Sequence, residues 1–113
     1  DHVQRLAYMG GVEGATNILT KIASNLAQIA KELNIGVIMI SHVNDDGHAK
    51  YAKSLEEEAI MLIKIERDKE STDEEISNTT RFTVTKNRCF SKLGYAGMVY
   101  YDPKTTILQE IKA

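Results

Sequence analysis

Cross-links and long apolar stretches are both missing from this sequence of 113 residues. Cys89 is the one cysteine, so neither an internal disulfide framework nor a cysteine-based zinc site can form. No apolar run approaches the ~20 residues that a membrane-spanning helix needs. The first residues lack the charged-then-apolar pattern of a secretory signal. Neither sign of charge dominates, because 14 Lys and Arg against 16 Asp and Glu leave a net charge of -2. That argues against a module held to nucleic acid by bulk charge alone, while leaving room for local basic loops. What is there, 42% hydrophobic and 27% charged residues, is the balance of an ordinary globular chain, and the length allows one domain at most. The chain opens abruptly on Asp1-His2, without methionine and without the hydrophobic strand that usually leads a domain, so a fragment is expected.

Residues 1–14 (DHVQRLAYMGGVEG) read as a loop, since Gly10, Gly11 and Gly14 oppose regular structure. A helix is expected over 15–33, where Ile18, Ile22, Leu26, Ile29 and Leu33 form one apolar stripe. Asn34 and Gly36 mark its end. The continuous apolar run Val37 to Ser41, closed by His42, reads as a strand buried on both faces of a parallel sheet. A polar loop covers 43–54, and 55–58 is one helical turn. A second buried strand is expected over Ala59 to Ile65. The charged stretch 68–78 (DKESTDEEISN) has the composition of a solvated, disorder-prone loop. Alternation over Thr79 to Lys86 predicts a half-exposed strand with Phe82 and Val84 on one face. Strands follow at Tyr95 to Tyr101 and Ile107 to Ile111, joined by a turn in which Pro103 pre-sets φ. The expected class is α/β: parallel strands and a long amphipathic helix, with an antiparallel C-terminal extension.

Several residues carry two readings each. Asp1 is either a solvated acid or, at the carboxyl end of a strand, a water-mediated magnesium ligand. His42 stands where an α/β sheet builds its sites; it caps a strand end or bonds a phosphate or a reacting water. Lys86 and Arg88 flank Asn87 and fall on one side of an extended chain. They are surface cations or, as a point charge beside a bidentate fork, partners for a triphosphate. Lys50 and Lys53 flank Tyr51 and Ala52 in the 43–54 loop, which is either simply solvated or a contact for a phosphate backbone.

The order of these features resembles the RecA-like ATPase domain of DnaB-like replicative helicases. Asp1-His2, the glycine-rich loop and the helix resemble the end of the second Walker motif and the segment after it. KELNIGVIMISHVN resembles the strand that ends in a phosphate-sensing Gln or His, SLEEEAIMLIKIERD the next segment and strand, and TVTKNRCFSKLGYAGMVYYDPKTTIL the family's K-x-R strand and closing hairpin. The His and the loop lengths are most similar to phage primase-helicases of the T7 type. The resemblance runs from Asp1 to about Leu108. It implies that Asp1 is the magnesium-associated acid and His42 the γ-phosphate sensor. It implies that Lys86 and Arg88 reach the neighbouring subunit's nucleotide, Arg88 as arginine finger. It makes the loops 3–14 and 43–54 face single-stranded DNA, with Lys50 and Lys53 as phosphate contacts and Arg5 as a further one. The cofactors implied are ATP or another nucleoside triphosphate and Mg2+. The partners implied are single-stranded DNA, identical subunits in a ring, a primase and a DNA polymerase, with no membrane. The compartment implied is the cytoplasm of a bacterial or phage-infected cell.

Two residues depart from the family: Glu57 replaces its usual Gln and Ile60 its usual Asp. No G-x-x-x-x-G-K-[ST] phosphate loop occurs in the 113 residues, so the chain is expected to be the C-terminal part of one ATPase domain, inactive by itself, with part of its sheet exposed. A RecA-type recombinase fits the same residues nearly as well. A non-catalytic oligomerisation or DNA-binding module is the alternative from another class.

Overall fold

α1 (Gly11–Leu33) is the longest element. It belongs to a computed structural model that describes residues 11–42 and 53–112, with α1 side chains described from Asn17 on. Asp1, Arg5 and Lys50 lie outside the described residues. The helix begins four residues earlier than its apolar stripe suggests, and it takes in Gly11 and Gly14. Gly14, inside the helix, costs about 1 kcal/mol relative to alanine, but extending an existing helix is cheap once a nucleus has formed. Its C-terminus closes on Asn34, which is left-handed at φ 51°. The Ile35 N–H then donates to the Ala30 carbonyl at 3.1 Å, the closing bond of a Schellman cap. Lys31 in the last turn complements the dipole.

The chain divides into two units, 1–59 and 60–113. In the first, Leu19 and Ala23 are buried one helical turn apart, together with Leu55 of α2 (Lys53–Glu58). Ile18, Ile22 and Met39 pack around these three. The buried line of α1 is therefore Leu19–Ala23, and the far end of the expected stripe, Ile29 and Leu33, is exposed. A hydroxyl contact between Ser54 Oγ and Thr20 Oγ1 at 3.1 Å adds to the α1–α2 seam.

Residues 35–42 do not form the expected buried strand. No ladder partner pairs with them among the described residues, and Ile38 is 95% exposed. An extended run becomes a strand only through its neighbours' hydrogen bonds, and here Met39 alone turns toward the α1–α2 core.

The second unit is a four-stranded sheet in the order β1-β2-β3-β4. The strands are β1 (Met61–Glu66), β2 (Thr79–Asn87), β3 (Gly94–Asp102) and β4 (Ile107–Ile111). Every pair is antiparallel. The expected parallel core does not appear among the described residues. The run read as its second buried strand is instead an edge strand, with Ile63 and Ile65 52% and 64% exposed. The charged 68–78 segment is not simply loop, because it contains α3 (Glu74–Ser77), capped by the Asp73 carboxylate, which accepts from the Glu75 N–H at 2.9 Å. An α/β class stands. No described helix is long and apolar enough to cross a membrane.

The register assigns the sheet's two faces. Ile65 sits opposite Phe82, Ile63 opposite Val84, and Tyr101 opposite Leu108, which makes one face apolar. Lys64 opposite Thr83, Glu66 opposite Arg81, and Tyr100 opposite Gln109 make the other face largely polar, with Met98 opposite Ile111 as an apolar pair within it. On that polar face Arg81 stacks over the Tyr95 ring at 5.3 Å, worth about 0.5–1 kcal/mol where solvent reaches it. Two bulges bend the ladder. Leu62 pairs with Lys86 but Ile63 with Val84, leaving Thr85 as an extra residue on β2. Phe82 pairs with Gly97 but Thr83 with Tyr95, leaving Ala96 extra on β3. Gly97, at φ 131°, supplies the backbone angle that the second bulge needs.

Candidate functional site

The pair Lys86 and Arg88 is where local structure and site chemistry meet. β2 carries Lys86 opposite Leu62 and Asn87 opposite Met61. Arg88 lies one residue past the strand, yet its N–H still donates to the Ile60 carbonyl at 3.0 Å. The ladder therefore extends to the arginine, and its main chain is fixed although its side chain is exposed. The Thr85 bulge sits directly before the pair. Bulges of this kind re-aim the side chains that come after them, and a regular strand would put the pair's alternation in a different phase relative to β1.

A tight turn comes next. The Ser91 N–H donates to the Asn87 carbonyl and the Phe90 N–H to Asn87 Oδ1, each at 3.3 Å. Asn87 Nδ2 donates to the Lys92 carbonyl at 3.3 Å. Ser91 is left-handed at φ 51°, and Gly94 at φ 109° opens β3. Cys89, Phe90 and Leu93 are exposed around this turn. Sequence reasoning singled out the two cations and passed over Asn87. The signal was present, since Asn readily bonds its own backbone in turns. Ile60 carries no nucleotide chemistry on its side chain, and what it contributes is its carbonyl to Arg88.

Of the other sequence-predicted residues, His42 and Lys53 belong to the first unit. His42 is exposed at the end of the 35–42 run, where the neighbouring Ser41 Oγ donates to its carbonyl at 3.1 Å. Lys53 is exposed as the first residue of α2. Glu57 is exposed on α2. The structure thus brings Lys86 and Arg88 together in one unit, and it carries His42 and Lys53 in the other.

The polar face of the sheet holds an open groove of ≈ 590 Å³ between the end of β1 and α3. Glu66, Asp68 and Glu75 line it together with Arg67 and Arg81, so its charges are mixed in sign. Nearby, Tyr100 has its hydroxyl pKa raised above 10.0 by partial burial and then by the carboxylates of Asp102, Glu74 and Glu75. Among the described residues no group of three His, Cys, Asp or Glu side chains could hold a metal ion. Asp1, the residue tied to magnesium by resemblance, lies outside them. The donors gathered at the Lys86–Arg88 end are cations, which suit phosphate oxygens and repel a metal ion.

No protein-family model matches the chain, and no curated protein matches it either.

Proposed function

We propose that this chain is the C-terminal part of a RecA-like ATPase domain in a ring-forming replicative DNA helicase, which spends ATP to move along single-stranded DNA and unwind duplex, 5′ to 3′. The observation that carries the reading is the Lys86–Arg88 pair, anchored by the β1–β2 ladder up to the Arg88 N–H at 3.0 Å from the Ile60 carbonyl. Phosphoryl transfer leaves a protein little covalent chemistry to perform. Catalysis is positioning plus stabilisation of charge on the transferring phosphoryl group. A cation on a fixed main chain costs little reorganisation when that charge develops.

In this reading Lys86 and Arg88 act in trans on the nucleotide of the next subunit, which couples hydrolysis to ring assembly. His42 bonds the γ-phosphate in cis and passes its presence to the 43–54 loop. Lys50 and Lys53 on that loop, with Arg5, hold DNA phosphates. Bound Mg2+ would neutralise phosphate charge, with Asp1 orienting its water shell. The phosphate cradle is absent from these 113 residues, so the activity belongs to the full-length cytoplasmic protein.

The test is Arg88→Ala in that full-length protein. Loss of an arginine finger lowers hydrolysis by about 10³-fold or more, while each subunit should still bind ATP. Rings mixing Arg88→Ala with a phosphate-loop variant should recover activity at the interfaces that pair two intact halves. Wild-type hydrolysis by Arg88→Ala would refute the role. Strand exchange without unwinding would point to a recombinase. DNA binding without any ATPase would point to a non-catalytic module.

A further inference from the structure

An arginine that acts on a neighbour's phosphate must hold its position within a fraction of an ångström, because small misplacements cost rate steeply. The main chain that carries Arg88 is held from two sides. On one side its own N–H reaches the Ile60 carbonyl at 3.0 Å. On the other, the turn leaving Arg88 is held by a single residue, Asn87. Its side-chain oxygen accepts from the Phe90 N–H at 3.3 Å and its side-chain nitrogen donates to the Lys92 carbonyl at 3.3 Å. Its main-chain carbonyl accepts from the Ser91 N–H at 3.3 Å. A backbone N–H can only donate and a backbone carbonyl can only accept, so these two partners fix which way the amide faces. The clasp spans the left-handed Ser91 at φ 51°, a backbone state that non-glycine residues rarely hold unaided.

We infer that Asn87 is a positioning residue, whose side-chain amide locks the 88–93 turn and thereby the placement of Arg88, and through it the rate of phosphoryl transfer. The inference rests on the proposed role of Arg88. Asn87 touches neither nucleotide nor DNA in this scheme. Alanine removes both side-chain bonds and leaves the main-chain bond to Ser91. Aspartate keeps the acceptor for Phe90 but sets an oxygen against the Lys92 carbonyl.

The experiment uses the full-length protein with single-stranded DNA and six forms: wild type, Asn87→Ala, Arg88→Ala and their double variant, with Asn87→Asp alone and combined with Arg88→Ala. Asn87→Ala is expected to lower kcat for ATP hydrolysis about tenfold to a hundredfold and to leave KM for ATP within about twofold. Asn87→Asp should fall between wild type and Asn87→Ala. In the Arg88→Ala background the Asn87→Ala change should cost nothing further, because a residue acting through Arg88 has nothing left to act on. A merely structural loss would multiply with the Arg88 loss instead, and that outcome overturns the inference. Wild-type kcat in Asn87→Ala, beside a strongly lowered kcat in Arg88→Ala, overturns the inference and leaves the function standing. Wild-type kcat in Arg88→Ala overturns the function itself. If Asn87→Ala does not fold, the Asn87→Asp kcat, alone and on Arg88→Ala, decides by the same rule.

Discussion

Leu55 and Ile38 make opposite statements about where the first unit is packed, and substituting each to alanine separates them. Leu55 is 4% exposed in a core shared with Leu19 and Ala23. Its truncation removes three carbons at about 0.8 kcal/mol each, roughly 2.4 kcal/mol of transfer energy. A cavity term adds to this. The term is small here, because α2 is only six residues long and can settle toward α1. The expected loss for Leu55→Ala is about 2–3 kcal/mol. Ile38 is 95% exposed, so Ile38→Ala takes almost no apolar area out of a packed site. Its expected effect is within about 0.5 kcal/mol. Urea unfolding monitored by helical circular dichroism, which reports α1, measures both under one slope. A loss at Ile38 of the size expected for Leu55 would restore residues 37–42 to a buried strand. An unchanged midpoint for Leu55→Ala would remove Leu55 from the core.

Thr106, at φ 59° with a branched Cβ, is strained where the β3–β4 turn re-enters the sheet. Thr106→Gly should raise stability by about 0.5–1 kcal/mol, keeping the main-chain bond to the Asp102 carbonyl at 2.7 Å; a lower melting temperature would refute the strain. Tyr100 holds its proton more tightly folded than unfolded, so the stability it contributes is complete below pH 10.0 and is lost as pH rises through its higher folded value. Replacing Asp102 by Asn should move the phenol's midpoint down toward 10.0, read as phenolate absorbance against a Tyr100→Phe control; an unmoved midpoint would exclude the carboxylate as a cause.

Much of the second unit is legible in the sequence. The alternation over Thr79 to Lys86 and the turn residues Asp102 and Pro103 place β2, β3 and β4 within a residue or so of their observed ends. α1 is equally legible in its body and in its Asn34 stop. Its start is not, because glycine's local cost is outweighed by the stability of the helix behind it. The Asp73 cap was visible as a residue type but was submerged in a run of like charges. The cations Lys86 and Arg88 were legible as a pair. The Thr85 bulge and the Ile60 carbonyl that set their presentation were not, since neither leaves a mark on composition or spacing.

By itself, then, the sequence determined most of α1, the three strands of the C-terminal meander and the turns between them, but neither α3 nor the first residues of α1. Those choices depend on side-chain period and backbone preference within a few residues. Tertiary structure decided how the extended segments are used. Val37 to Ile40 and Met61 to Ile65 are chemically alike, short and β-branched. One lacks a ladder partner among the described residues, and the other is the edge of an antiparallel sheet. A strand's pairing is a hydrogen-bonding relation to residues distant in the chain, so an apolar run looks the same beforehand whether its neighbours lie on both sides, on one, or on neither.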